Sequence, residues 1–155
     1  MQILSQLNTK RNFMKSTENS KIIRLPKFGD RRGFLTAIER DGIIPFKLKR
    51  IFYLYDIPGG ADRGGHAHKE CHQFIVSVLG SFEVTVTDGQ TEQSFRLDRA
   101  DSGLYIPPTI WASLTNFSSG AICLVLGSET FDENDYIRKF DDYKTFRQTL
   151  GGNLI

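Results

Sequence analysis

The chain has 155 residues, 39% hydrophobic and 25% charged, with a formal net charge of +2. That predicts one soluble globular domain with its own core and excludes fibrous, disordered and disulfide-rich classes. The charge is uneven: Lys10, Arg11, Lys15, Lys21 and Arg24 face only Glu18 in the first 24 residues, so the remainder is slightly acidic. This is not the footprint of a nucleic-acid binder, although a few local cations would suffice for a small phosphate-bearing ligand.

Residues 1–20 are polar and aperiodic and read as a flexible N-terminal tail ahead of a single domain, 21–155. A first strand runs from Lys21 to Leu25 and is closed by Pro26; Phe28 to Gly33 reads as a turn. Phe34 to Glu39 is a second strand, and Asp41-Gly42 and Pro45 mark the loop after it. Residues 49–55 form an aromatic-rich strand whose alternation sets Tyr53 and Tyr55 on one face and Phe52 and Leu54 on the other. After the loop at Pro58-Gly59-Gly60-Ala61 comes a histidine-bearing stretch, then an apolar strand from Phe74 to Leu79.

Phe82, Val84 and Val86 alternate with polar residues up to Asp88-Gly89, and Phe95 and Leu97 continue the apolar face, a hairpin signature. Strands at 103–106, 111–117 and 121–127 follow. From Asp132 onward, Tyr136, Ile137, Phe140, Tyr143, Phe146 and Leu150 fall near helical spacing, predicting one or two short C-terminal helices. About ten short strands punctuated by Gly, Pro and Asp predict an all-β jelly roll. No apolar run is long enough to span a membrane, and the N-terminus lacks the apolar segment of a signal peptide, so a cytoplasmic location is expected. Cys71 and Cys123 lie in predicted strands without metal-knot spacing and read as reduced core residues.

All three histidines, His66, His68 and His72, lie within seven residues. His66 and His68 are two apart, so on a strand both imidazoles share a face. An imidazole titrates near neutral pH and can both take and give a proton. Tyr53 and Tyr55, on the strand before them, share one face and offer phenolic hydroxyls. The alternative for this pair is one core and one surface aromatic. Arg63 carries a planar guanidinium suited to bidentate contact with a phosphate-bearing ligand, with Arg32 and Lys69 as further cations. Trp111 and Tyr105 could stack on a nucleobase, or Trp111 could fill the sandwich core.

The His-x-His entering a strand is similar to the cupins, whose metal-binding members add a Glu after three or four intervening residues and a His in a second motif. Here His72 and Gln73 stand at the first place and Ala112 at the second, which predicts no metal. The segments Arg32-Gly33, Pro45-Phe46-x-x-Lys49-Arg50, Arg63-Gly64-x-His66-Ala67-His68-Lys69 and Asp135-Tyr136-Ile137-Arg138 resemble the dTDP-4-oxo-6-deoxyglucose 3,4-oxoisomerases, a cupin-superfamily group, over residues 20–145.

The resemblance implies a homodimeric, cofactor-free, cupin-type double-stranded β-helix. It would move the keto group of dTDP-4-keto-6-deoxyglucose from C4 to C3 in deoxyaminosugar or glycan biosynthesis, such as lipopolysaccharide assembly. His66, His68 and Tyr53 would be catalytic, with His68 as the base and His66 as the second acid-base group. Arg63, Arg32, Tyr55, Lys69, Gln73 and Trp111 would bind substrate. The alternatives are a dTDP-sugar 3,5-epimerase or a non-catalytic sugar-nucleotide-binding cupin.

Overall fold

The computed structural model describes residues 16–39 and 42–151. Twelve strands run in the order β1 (Lys21–Arg24), β2 (Phe28–Asp30), β3 (Gly33–Leu35), β4 (Arg50–Leu54), β5 (Arg63–His68) and β6 (Gln73–Leu79), then β7 (Phe82–Thr87), β8 (Glu92–Leu97), β9 (Ser102–Ile106), β10 (Trp111–Thr115), β11 (Ile122–Gly127) and β12 (Tyr136–Ile137). One α-helix, α1 (Phe140–Leu150), follows. Two antiparallel five-stranded sheets face each other, in the orders β1-β9-β6-β11-β4 and β12-β5-β10-β7-β8; β2 and β3 form a separate hairpin. The expected jelly roll is present.

Alternation builds the core. Phe82, Val84 and Val86 are fully buried while Glu83, Thr85 and Thr87 are not, so one face of β7 supplies the sandwich interior. There they pack with Ile75, Leu104, Ile106, Leu114, Cys123 and Val125 from both sheets. Both cysteines are free and buried, as read from sequence, and burial pushes the Cys123 thiol up to about 12.

Two further clusters cover outer faces. Ile38, Ile43, Ile44 and Phe46 lie over Leu25, Phe74, Val76, Tyr105 and Leu126 on the first sheet. On the second sheet Ala67, Ile137 and Tyr143 pack together with Trp111 and Phe146, so α1 caps that face. The Tyr143 hydroxyl donates to the carbonyl oxygens of Thr87 and Thr109, each at 2.9 Å, anchoring the helix to the end of β7 and the turn before β10.

Several local expectations need correction. The predicted tail reaches too far: Thr17 is buried, and its hydroxyl lies 2.9 Å from that of Thr91, so residues 16–20 belong to the fold. The rest of the predicted tail, 1–15, lies outside the described residues. The expected strand at 34–39 ends at Leu35, and the expected turn at 28–33 is instead half of the β2–β3 hairpin. Tyr136 and Ile137 are strand, not helix, because they pair with His68 and Ala67 on β5.

Candidate active site

The register of β5 creates the site. His66 pairs with Ala112 and His68 with Tyr136, so these four side chains share the inner face of the second sheet. Between Ala112 and Ser113 the register slips: Ser113 pairs with Gly64, leaving Gly65 as the extra residue of a β-bulge. Gly64 and Gly65 both hold φ near +70° (73° and 71°), a region open to glycine and strained for other residues. A Cβ on Gly64 would also meet the Ala112 carbonyl oxygen at 3.0 Å. The bulge matters for chemistry. Arg63 and His66 are three residues apart and would face opposite ways on a regular strand; the extra residue returns Arg63 to the histidine face.

Opposite this face stand Phe52 and Leu54 of β4, Gln73 and Ile75 of β6, and Val125 of β11. The two sheets enclose a cavity of about 260 Å³ at one end of the sandwich. Its polar lining is Arg50, Arg63, His66, Gln73, Tyr136 and Arg138, so one imidazole, one amide and one phenol look into a space ringed by three guanidiniums. A larger apolar groove of about 450 Å³ lies elsewhere, against β6 and the β2–β3 hairpin. Its titratable lining is Lys27 and Asp101, which form a salt bridge, so the reactive groups are not there.

His66 and His68 meet edge to face with ring centroids 5.0 Å apart, and the Tyr136 ring lies 4.9 Å from the first and 4.3 Å from the second. Their surroundings differ. His68 sits deeper, in the cleft behind the cavity, and its Nδ1 is 2.8 Å from Asp135 Oδ2. The other carboxylate oxygen, Oδ1, accepts the Glu70 N–H at 2.7 Å. A carboxylate held this way makes Nδ1 the protonated nitrogen of neutral His68 and leaves Nε2 as the lone-pair atom. That Nε2, like Nδ1 of His66, is buried without a hydrogen-bond partner.

Burial is the main force on both rings. It pushes His66 down to about 4, helped by the neighbouring His68 charge and opposed by the Gly64 backbone. His68 is also lowered by burial, but the Asp135 hydrogen bond and charge pull the other way. Of the two, His66 is the imidazole that lines the cavity, while His68, expected as the base, is paired with Asp135 in the adjoining cleft.

The other expected site residues divide clearly. Arg63 and Gln73 line the cavity. Tyr53 and Tyr55 do not; their rings lie 5.7 Å apart on the outer face of the first sheet, both 60% exposed, because β4 turns Phe52 and Leu54 inward instead. Trp111 points the other way from Ala112 and packs 5.1 Å from Phe140 under α1. Tyr105 bonds His72 Nδ1 at 2.8 Å on the outer side of the first sheet, which also removes His72 from the histidine pair. Lys69 is tied to the Asn134 carbonyl oxygen, and Arg32 is chelated by Asp30 at the tip of the β2–β3 hairpin, outside this cavity.

Among the described residues one group of three metal-type donors occurs, His68, Cys71 and Asp135. The imidazole and carboxylate already bond each other, and the thiol donates to the His72 carbonyl oxygen at 3.3 Å. Asp135, Tyr136, Arg50 and Arg138 were not singled out as site residues from sequence; the signal for three of them was the Asp-Tyr-Ile-Arg string itself.

A double-stranded β-helix whose inner face carries paired histidines beside guanidiniums is a cupin-type arrangement. Residues 18–148 match the FdtA family, described as WxcM-like, C-terminal, and the chain belongs to that family. It is 42% identical over 127 residues to the TDP-4-oxo-6-deoxy-alpha-D-glucose-3,4-oxoisomerase of Aneurinibacillus thermoaerophilus, covering 82% of this chain and 91% of that one. A 3,4-ketoisomerase from Helicobacter canadensis superposes with a TM-score of 0.81 at 40% identity, covering 84% of this chain and 98% of the other.

QdtA, a sugar 3,4-ketoisomerase from Thermoanaerobacterium thermosaccharolyticum solved with TDP, gives 0.83 at 34% identity, covering 86% and 98%. A histidine-to-asparagine variant of that enzyme has been solved with TDP-4-keto-6-deoxyglucose. A dTDP-4-dehydrorhamnose 3,5-epimerase from Bacillus anthracis, at 17% identity and a TM-score of 0.66 over 76% of this chain and 77% of the other, shares the fold.

Proposed function

We propose that this protein is a dTDP-sugar 3,4-ketoisomerase acting on dTDP-4-keto-6-deoxyglucose. The observation that carries the reading is the cavity: His66 faces it with His68 behind, and Arg50 and Arg63 line it as cations for a diphosphate sugar, with Arg138 beside them paired to Glu133. Its size suits one hexose ring. The relatives that carry the activity in their names match nearly the whole domain. His66 takes the proton from C3, the electrons collect on the C4 oxygen, and an enediolate forms. His66 hands that proton to the lone-pair Nε2 of His68, 5.0 Å away between ring centroids, and His68, with the Asp135 carboxylate at its back, returns it to C4, so both imidazoles are reset in each turnover. The oxidation level only moves within the sugar, so no redox cofactor is required.

Proton NMR of the product from dTDP-4-keto-6-deoxyglucose tests the reading. The ketone should appear at C3. A ketone left at C4 with inverted C5 would indicate an epimerase, and no deuterium uptake in heavy water would indicate a binding protein. Activity should survive exhaustive chelation by EDTA. Loss restored by one divalent ion would overturn the metal-independent mechanism.

The working unit should be a homodimer. Phe34 and Leu35 on the hairpin, Ile51 and Tyr53 on edge strand β4, and Val78 and Leu79 on β6 are all exposed. Apolar side chains on an edge strand and a hairpin invite pairing with a second copy. Light scattering at micromolar concentration should give twice the chain mass, and Tyr53→Lys should lower it; a monomeric parent protein would count against the assembly.

A further inference from the structure

Moving a ketone from C4 to C3 relocates two protons, not one. A carbon-bound proton leaves C3 and one arrives at C4; at the same time the C3 hydroxyl loses its proton and the C4 oxygen gains one. The imidazole pair answers for the first exchange. We propose that Tyr136 carries the second, giving its phenolic proton to the C4 oxygen as the enediol forms and taking one back from the C3 hydroxyl as the new ketone closes. This rests on the isomerase reading above.

The tyrosines sort by elimination. Of five in the chain, Tyr53 and Tyr55 lie on the outer surface, Tyr105 is bonded to His72, and Tyr143 is spent on the Thr87 and Thr109 carbonyls. Tyr136 alone lines the cavity, and among the described residues it is the cavity's one hydroxyl. No other lining side chain exchanges a hydroxyl-type proton: Gln73 has an amide, and the guanidiniums stay charged throughout. The two oxygens lie on neighbouring carbons of a planar enediol, so a single hydroxyl can serve both.

The phenol is also prepared for the task. Arg50 Nη1 donates to its oxygen at 3.4 Å, which leaves the phenolic hydrogen free to turn toward the cavity. The Arg138 guanidinium, paired with Glu133, lies over the ring 4.2 Å from its centroid, so positive charge faces the ring as the phenolate forms. The cycle balances: the phenol is regenerated in each turnover, and no oxidant or further acid is consumed.

The test uses the full-length protein with dTDP-4-keto-6-deoxyglucose. Tyr136→Phe should lower kcat by about 10²–10⁴-fold while KM and TDP affinity stay near wild type. A fluorotyrosine at position 136 keeps the shape but is more acidic, so it should move the basic limb of kcat to lower pH. A Tyr136→Phe enzyme within a few-fold of wild-type kcat, or a basic limb that fluorination leaves in place, overturns the proposal. If Tyr136→Phe fails to fold, the fluorotyrosine profile decides alone. Failure of the wild-type protein to form a 3-keto product would instead remove the isomerase reading, so the two failures are distinct.

Discussion

His66→Asn is expected to lower turnover by about 10²–10⁴-fold and to abolish exchange of the C3 proton with heavy water. Asparagine fills similar space and can hydrogen-bond, but it cannot accept a carbon-bound proton. His68→Asn should behave differently, leaving C3 exchange intact because His66 still faces the cavity, and blocking product because the imidazole that returns the proton to C4 is gone. The pH profile adds an independent check. The working base is the unprotonated imidazole, and burial with the His68 charge holds His66 at about 4. The acid limb of kcat/KM, which reports the free enzyme, should therefore lie well below the ordinary imidazole range. Activity should persist as pH falls through 6 and fade only as His66 gains its proton. Two folded variants with near wild-type turnover would defeat the assignment and advance the binding-protein reading. A limb at the ordinary imidazole pH would remove His66 as the titrating base.

The elements that alternate cleanly were legible from sequence because their physics is local. The Phe82-Val84-Val86 face and the Asp88-Gly89 turn belong to one hairpin, and the structure pairs Thr87 with Glu92 across it. The shared face of His66 and His68 follows from the two-residue period alone.

What could not be read depends on partners distant in sequence. Tyr136 and Ile137 continue the spacing of a helix, yet β5 offers them open backbone groups, and sheet pairing overrides the period. Alternation set Tyr53 apart from Phe52 correctly, but choosing the inner face needs the position of β11 and the opposing sheet. Trp111 was ambiguous for the same reason until α1 was seen to cover it. Arg63, three residues before His66, would face away from it on a regular strand, so its place beside the histidines was not legible. The cause of that placement, the bulge at Gly65, shows only in the pairing with β10.

Asp135→Asn should act as a milder His68→Asn. The carboxylate fixes His68 with its proton on Nδ1 and supports the positive charge that the ring takes on when it holds a second proton. Asparagine is nearly isosteric, and its oxygen can still accept from the Glu70 N–H. Its amide would then face Nδ1 as a donor, favouring the opposite tautomer and leaving Nε2 protonated. Product formation should fall by about 10²-fold, with C3 exchange largely kept, because His66 is untouched. The sign of the pH effect follows from the same bond. The carboxylate raises the proton affinity of His68, so its loss lets imidazolium deprotonate at lower pH, and any step that needs the charged ring shifts toward acid. A thermal melt close to wild type would show that the fold survives. Equal loss of C3 exchange and product in a folded Asp135→Asn protein would mean that Asp135 supports the base itself, and His68 would then have to exchange roles with His66.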